Sequence, residues 1–119
     1  MSKPIIFTVP CGSNTVVKND FLMQDGAGAI KKMVDTSSTL VGVACENKDA
    51  QNNVSCLKLG IAKFHLVSNT SINVGDKMEA RTSGVTRFAA GQYIGDALET
   101  ITSPATGDLV TVAINLYRG

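Results

Sequence analysis

Residues 110–117 read Val-Thr-Val-Ala-Ile-Asn-Leu-Tyr. Apolar side chains occupy every second position from Val110, and two residues is the period at which side chains share one face of a β-strand. An earlier stretch begins the same alternation and then changes phase, with apolar residues at Leu57, Leu59, Ile61, Phe64 and Leu66. A β-bulge near Ala62 would produce that change. The two stretches therefore predict two strands, each with one face buried in a core.

The strand pattern belongs to a longer internal similarity. Shifts of 56 and then 53 residues superimpose four blocks in one order: residues 18–22 on 74–78, 28–31 on 84–87, 41–46 on 94–99, and 57–64 on 110–117. Chance similarity between glycine-rich β sequences is the competing explanation. We interpret the series as two copies of one β unit, over residues 10–66 and 67–119. Because half of the chain is too short to bury a face alone, we expect the copies to pack about a pseudo-two-fold axis.

The remaining chain is predicted to form short strands and tight turns. Further strands are expected at residues 5–9, 20–23, 40–45, 76–80, 85–88 and 93–98, with glycine-containing turns between them. Residues 28–35 have a partly helical pattern, but we assign strand and loop there because the repeat partner cannot stay helical for long. The predicted fold class is all-β, a compact β-barrel or sandwich in a single domain over residues 1–119.

Residues 1–9 precede the repeat and are predicted to be an N-terminal arm. Pro4 favours an extended backbone, and Ile5, Ile6 and Phe7 follow it directly. Two interpretations stay open. The arm is either an edge strand of its own sheet or a strand that reaches onto a neighbouring molecule and pairs with the edge of its sheet.

Composition narrows the possible partners and the compartment. The net charge is +1, which supplies no strong field for nucleic acid or an anionic membrane, so neither is predicted as a partner. Three cysteines cannot all pair, and no hydrophobic signal segment follows Met1. We therefore expect the protein to be made in a reducing cytoplasm.

The residues needed for catalysis or metal binding are scarce. His65 is the one histidine, and the cysteines form no Cys-x-x-Cys pair, so no metal site and no cofactor are predicted. Asp20 and Asp76 are equivalent in the repeat, as are Glu46 and Glu99. A turn explains the aspartates better than acid–base chemistry does, although one carboxylate pair meeting near the axis stays possible. The protein is predicted not to be an enzyme.

Several short motifs carry a family resemblance. They are Leu40-Val41-Gly42-Val43-Ala44, Leu57-Lys58-Leu59-Gly60, Ile72-Asn73-Val74-Gly75-Asp76-Lys77, Tyr93-Ile94-Gly95-Asp96-Ala97-Leu98 and Val110-Thr111-Val112-Ala113-Ile114. With them, residues 15–117 resemble the small capsid cement or decoration proteins of tailed phages. The resemblance implies a β-rich structural protein that binds the major capsid protein on the outer surface of the virion, often as a homotrimer, and stabilises the expanded head. The polar residues 47–53 and the three cysteines depart from the family pattern.

The arm is the predicted capsid-binding segment, with candidate residues Ser2, Lys3, Pro4, Ile5, Ile6 and Phe7. Two other classes of function remain. A host-surface or carbohydrate-binding β module would place aromatic side chains on an exposed face, whereas Phe and Tyr here fall mostly at predicted core positions. A small β-barrel enzyme would have to use the repeated acidic residues without suitable partners.

Overall fold

A computed structural model describes residues 4–34, 39–89 and 91–116. The described residues form nine strands and no helix: β1 (Ile5–Pro10), β2 (Phe21–Gln24), β3 (Ile30–Lys32), β4 (Leu40–Ala44), β5 (Asn53–His65), β6 (Lys77–Arg81), β7 (Gly84–Arg87), β8 (Gln92–Ala97) and β9 (Leu109–Asn115). The all-β prediction is confirmed. Within these residues no helix is long and apolar enough to cross a membrane.

The strands form one antiparallel sheet. Its order is β3-β2-β4-β5-β9-β8-β6-β7, and β1 pairs with β5 beside this path. The sheet curls without closing into a barrel: Leu66, just after β5, reaches Val85 of β7 only through an isolated parallel bridge. The molecule is compact, with a radius of gyration of 13.8 Å, close to the value expected for a single domain of this length.

Strand β5 is the centre of the fold, with 13 residues against seven in the next longest strand. Its first half pairs with β1 and β4, and its second half pairs with β9. Leu59 lies at the changeover, since it pairs with Ile5 of β1 on one edge and with Asn115 of β9 on the other. Both halves of the molecule are therefore built on one continuous strand.

The strand pairings follow the same scheme in both halves. Strand β2 pairs with β3 and β4 as β6 pairs with β7 and β8. The irregularity between Leu22 and Met23 has its counterpart between Met78 and Glu79. The duplication of the sequence itself stays a prediction.

The pairings correct one block of the proposed sequence register. Leu57 lies opposite Val43, and the residue in the corresponding place opposite Asp96 is Ala113. Leu57 is therefore equivalent in pairing to Ala113 and not to Val110. The error arose because alternation repeats every two residues and cannot fix which of several apolar positions corresponds.

The turns that enter β2 and β6 show why the sequence places strands there. Asn19 and Gly75 have φ angles of 74° and 90°, a left-handed conformation that Asn and Gly adopt most readily. The aspartate that follows each of them accepts a backbone N–H three residues earlier, from Val17 at 2.9 Å and from Asn73 at 2.8 Å. The Asp-turn interpretation is confirmed at both positions.

Two groups of buried side chains form the core. The larger group spans both halves and has Phe21, Met33, Val43, Leu57, Phe64, Leu66, Ile72, Met78, Ala80, Val85, Ile94, Ala97, Val110, Val112 and Ile114. The smaller group lies in the first half and has Cys11, Val16, Leu22, Ile30, Ala44, Val54 and Cys56. The rings of Phe21 and Phe64 stack with centroids 4.9 Å apart, which joins β2 of the first half to the second half of β5.

The phase change in β5 is real but lies earlier than predicted. Cys56 and Leu57 are consecutive and both buried, one in each core group. The irregularity falls between Leu57 and Leu59, opposite β1, whereas the ladder with β9 runs without interruption through Ala62. The bulge predicted near Ala62 is therefore wrong, and Leu59 and Ile61 are not core residues.

Candidate binding groove

An open groove of about 1060 Å³ lies against β5, where residues of β1, β4 and β9 come together. The lining is mainly apolar and consists of Pro4, Ile6, Lys18, Asn19, Val43, Ala44, Cys45, Leu57, Leu59, Gly60, Ile61, Ala62, Lys63, Leu98, Thr111, Ala113 and Ile114. Its floor is the part of β5 where the phase changes. The shifted phase turns Leu59 and Ile61 into this groove instead of into the core.

Large apolar side chains are exposed around the groove. Ile6, Ile61 and Leu98 are 54, 50 and 43% exposed, and all three line it. Scattered exposed apolar residues are normal, whereas a contiguous group marks an interaction surface. The sequence did not single out this surface, because Ile61 continues the alternation that begins at Leu57 and was assigned to the core.

The charged lining residues, among those that the structure describes, are Lys18 and Lys63. The Asn19 amide donates to the Lys63 carbonyl at 3.2 Å, which ties the turn before β2 to β5. The Lys18 backbone N–H donates to Asn47 Oδ1 at 2.8 Å, so the backbone at this rim position is also fixed. The groove thus has a positively charged rim over an apolar floor.

The N-terminal arm lies partly in this site. Ile5–Pro10 pairs with Asn53–Leu59 of its own chain, as the edge-strand interpretation predicts. Pro4 and Ile6 line the groove, whereas Phe7 is half-buried, with the Lys58 ammonium 5.5 Å from its ring centroid. Ser2 and Lys3 lie outside the described residues. Capsid contact by residues 2–7 stays a prediction.

The two glutamates that correspond in the proposed repeat each accept a hydrogen bond from a backbone N–H. Glu46 accepts the Ser55 N–H at 3.1 Å, and Glu99 accepts the Thr111 N–H at 2.9 Å. Hydrogen bonds from Thr111, and to a smaller extent the Lys63 ammonium, lower the pKa of Glu99, against a desolvation effect that raises it. The two glutamates thus hold equivalent strand ends.

The aspartates complete the same structural pattern. Asp20 lies 3.8 Å from the Lys32 ammonium, and Asp76 lies 3.4 Å from Arg87 Nε. These contacts link the turns before β2 and β6 to β3 and β7, in addition to the turn hydrogen bonds already described. The arrangement is that of turn and strand supports, with the carboxylates bound to their own neighbourhoods.

Glu79 is a structural carboxylate that sequence reasoning missed. Its side chain is buried and accepts hydrogen bonds from Ala89 N–H at 2.8 Å, Gly91 N–H at 3.0 Å and Arg81 Nε at 2.7 Å. Burial of a carboxylate is tolerated only with such partners. No signal in the sequence indicated this burial, because alternation in a strand places Glu79 on the face opposite to the apolar Met78 and Ala80.

The cysteines and the histidine lie in environments that support the fold. Cys11 and Cys56 are buried and Cys45 is half-buried, and all three are free thiols. Desolvation raises the pKa of each thiol, to about 12 for Cys56. The exposed His65 ring bonds through Nδ1 to the Gly107 carbonyl at 2.9 Å. No group of three potential metal ligands occurs within the described residues.

One aromatic pair departs from the expected core placement. Phe88 is 42% exposed and meets the half-buried Tyr93 edge to face, with ring centroids 6.1 Å apart. The Tyr93 hydroxyl donates to Asp96 Oδ1 at 2.6 Å, and the Lys77 ammonium lies 5.8 Å from its ring centroid. The phenylalanines of β2 and β5 follow the core prediction, but this pair lies on a surface.

The structure thus defines a class: an all-β protein of two similarly paired halves with an apolar surface groove. The sequence matches no family model and no curated protein. Among solved structures, the fold is similar to the crystal structure of the head fiber gp8.5 N base in bacteriophage phi29, with a TM-score of 0.56. The two chains share 18% identity, and the alignment covers 96% of each. At that identity the likeness shows a shared fold.

Proposed function

We propose that this protein is a structural component of a tailed-phage head that binds the outer surface of the capsid and stabilises the expanded shell. The observation that carries the proposal is the likeness to a phage head fiber base over nearly the whole of both chains. The motifs of β4, β8 and β9 that resemble capsid decoration proteins support it independently, because they were identified from sequence.

The proposed partner is the major capsid protein, and the proposed assembly on the shell is a homotrimer. Binding through several copies suits a stabilising role, because each weak contact becomes effectively intramolecular once a neighbouring copy is bound. A trimer would present three apolar grooves to the shell, one from each copy.

Co-sedimentation with purified, expanded empty heads that lack the protein tests the proposal. We expect saturable pelleting at micromolar protein, together with a higher disruption temperature of the decorated heads in calorimetry. Absence of pelleting at that concentration would refute capsid binding. Pelleting without any change in disruption temperature would retain binding and refute stabilisation.

A carbohydrate-binding role is the second candidate, and the observation that favours it is the exposed Phe88 packed against the half-buried Tyr93. Aromatic faces stack on sugar rings, and the neighbouring Asp96 carboxylate can accept hydrogen bonds from hydroxyls. A glycan array with wild-type protein and the Phe88→Ala variant separates the two roles. Specific binding that the substitution abolishes would support it, and an array without signal would refute it.

A further inference from the structure

The groove along β5 has features of a docking surface that the fold itself does not use. Ile61 and Leu98 line it and are 50 and 43% exposed, although Leu98 directly follows the buried Ala97. Leaving such side chains in water forgoes the favourable free energy that their burial would supply. Covering the groove with an apolar segment would recover much of that free energy.

The charges that line the groove indicate which kind of apolar segment would bind there. Both charged lining residues in the described part of the chain, Lys18 and Lys63, are cationic. Glu99 lies close enough to Lys63 for the ammonium to contribute to lowering its pKa. The Glu99 carboxylate offsets part of the Lys63 charge, but it does not line the groove, where both charged side chains of the described residues are ammonium groups. The rim therefore favours an occupant that carries negative charge.

We propose that this groove binds a short apolar segment of the major capsid protein that carries Asp or Glu beside its apolar residues. The inference rests on the proposed function and adds the chemistry of the contact. The apolar floor along β5 supplies affinity by burial, and the two lysines select the acidic segment and orient it. A second copy of this chain would be a poorer occupant if it presented the same cationic rim.

A matched pair of leucine substitutions tests the location. Leu98 lines the groove and is 43% exposed, whereas Leu109 is 50% exposed and lies outside it. Both variants to Asp should fold, because neither leucine is buried. We expect Leu98→Asp to weaken binding to expanded empty heads by at least about tenfold, because the aspartate would oppose both apolar burial and an acidic segment. Leu109→Asp should bind as wild type.

Substitutions of Lys63 test whether the positive charge at the rim selects an acidic segment. Lys63→Glu should weaken head binding about three- to tenfold and make the remaining binding less sensitive to salt, whereas Lys63→Arg should preserve both properties. Equal loss in the two variants would refute charge selection. A photo-reactive benzoylphenylalanine at position 98 should then cross-link to a capsid-protein peptide that contains Asp or Glu.

The outcomes separate this inference from the proposed function. If wild-type protein fails to bind heads, the proposed function falls and the inference falls with it. If wild type binds and Leu98→Asp binds equally well, the function stands and the groove assignment is wrong. A cross-link from position 98 to a second copy, or a change of oligomeric state in Leu98→Asp by analytical ultracentrifugation, would identify a self-contact and overturn the proposal.

Discussion

At the scale of single residues, burial decides what the polar and reactive side chains can do. Cys56 is fully buried, and desolvation raises its pKa to about 12, so its thiol stays protonated at neutral pH. The Glu79 carboxylate is equally buried and accepts hydrogen bonds from three donors. Both groups serve the fold, since neither has the exposure that a reactive group needs.

The two buried thiols, Cys11 and Cys56, should therefore react slowly in the native protein. We expect a thiol reagent such as dithionitrobenzoate at pH 8 to label at most one thiol per chain quickly, at the half-buried Cys45, because Cys11 and Cys56 are buried. All three thiols should react in denaturant, which is the control. Rapid labelling of two or three native thiols would contradict the burial of Cys11 and Cys56.

Asp25 should link stability to acid pH. Its Oδ1 accepts N–H groups of Ala27 and Ala29, and its Oδ2 accepts the Asn14 amide. The bond from Ala27, the largest cause, lowers the pKa of Asp25 below its ordinary 3.8 despite some desolvation. Because the folded pKa is the lower one, the carboxylate stabilises the fold above about pH 4, and that contribution is lost as the pH falls through the folded value.

The Asp25→Asn variant removes this titration. It should be less stable than wild type at pH 7, and the difference in melting temperature should shrink as the pH is lowered from 5 towards 2, measured by thermal denaturation. A difference that stays constant over this interval would show that the Asp25 charge contributes nothing.

At the scale of elements, β5 sets the architecture because it changes phase within one strand. The even positions Val54 and Cys56 face the first-half core, and Leu57 faces the larger core on the opposite side. After the irregularity opposite β1, Phe64 and Leu66 continue in the larger core. One strand thereby supplies both core groups and the groove floor.

Two aspartate substitutions test the phase of the strands. Val112 of β9 is fully buried, and Val112→Asp should prevent folding, because an unpaired buried charge costs several kcal/mol out of a total of roughly 5–15. Leu59 lines the groove, and Leu59→Asp should still fold because its carboxylate can reach water. Circular dichroism and thermal melting distinguish the two. An unfolded Leu59→Asp would restore the core placement that alternation alone suggests.

Close packing between β8 and β9 makes a second element testable. A Cβ added at Gly95 would overlap the Ala113 carbonyl oxygen, which is backbone and cannot swing away. At Gly42, the equivalent place in β4, the nearest atoms would be Cys56 Cβ at 3.0 Å and the Leu57 oxygen at 3.2 Å. Gly95→Ala should therefore cost about 2–3 kcal/mol or more, and Gly42→Ala less, by urea denaturation. The reverse order would contradict the β8–β9 spacing.

The strands could be predicted from sequence, but the groove could not. Alternation and turn residues located the strands to within a few positions, since Asp20 and Asp76 mark entries that the backbone requires. The sequence could not predict which side chains of β5 face which side of the sheet, because the adjacent apolar residues Cys56 and Leu57 are both buried, in different core groups. Whether Ile61 faces a core or a groove depends on which strand lies across from it, and that is a property of the tertiary structure.

At the scale of the whole molecule, the two halves depend on each other. They share β5, and the larger core group includes Phe21, Val43 and Leu57 from the first half beside Val110 and Ile114 from the second. The all-β class and a compact single unit followed from period and length. The sequence could not predict that the sheet is open, because closure depends on long-range strand pairing that local patterns do not specify.

The shared core predicts cooperative unfolding. Phe21→Ala removes the ring stacked on Phe64 and should cost about 3–5 kcal/mol, with a single transition retained, because both halves lose packing together. Phe88→Ala is the matched control. It is 42% exposed and should cost less than about 1 kcal/mol. Two separate transitions in calorimetry of wild type or Phe21→Ala would show that the halves fold independently.

The pairing of Leu59 with both Ile5 and Asn115 has a practical consequence for protein engineering. These residues lie one strand to either side of β5, so their backbones are roughly 10 Å apart, twice the spacing between paired strands. A short linker could join them, and new ends could be opened in an exposed turn elsewhere, such as the one at Gly107, to give a circular permutant with the same sheet. Cargo fused at the new ends would then be displayed from the turn at Gly107, which does not line the groove.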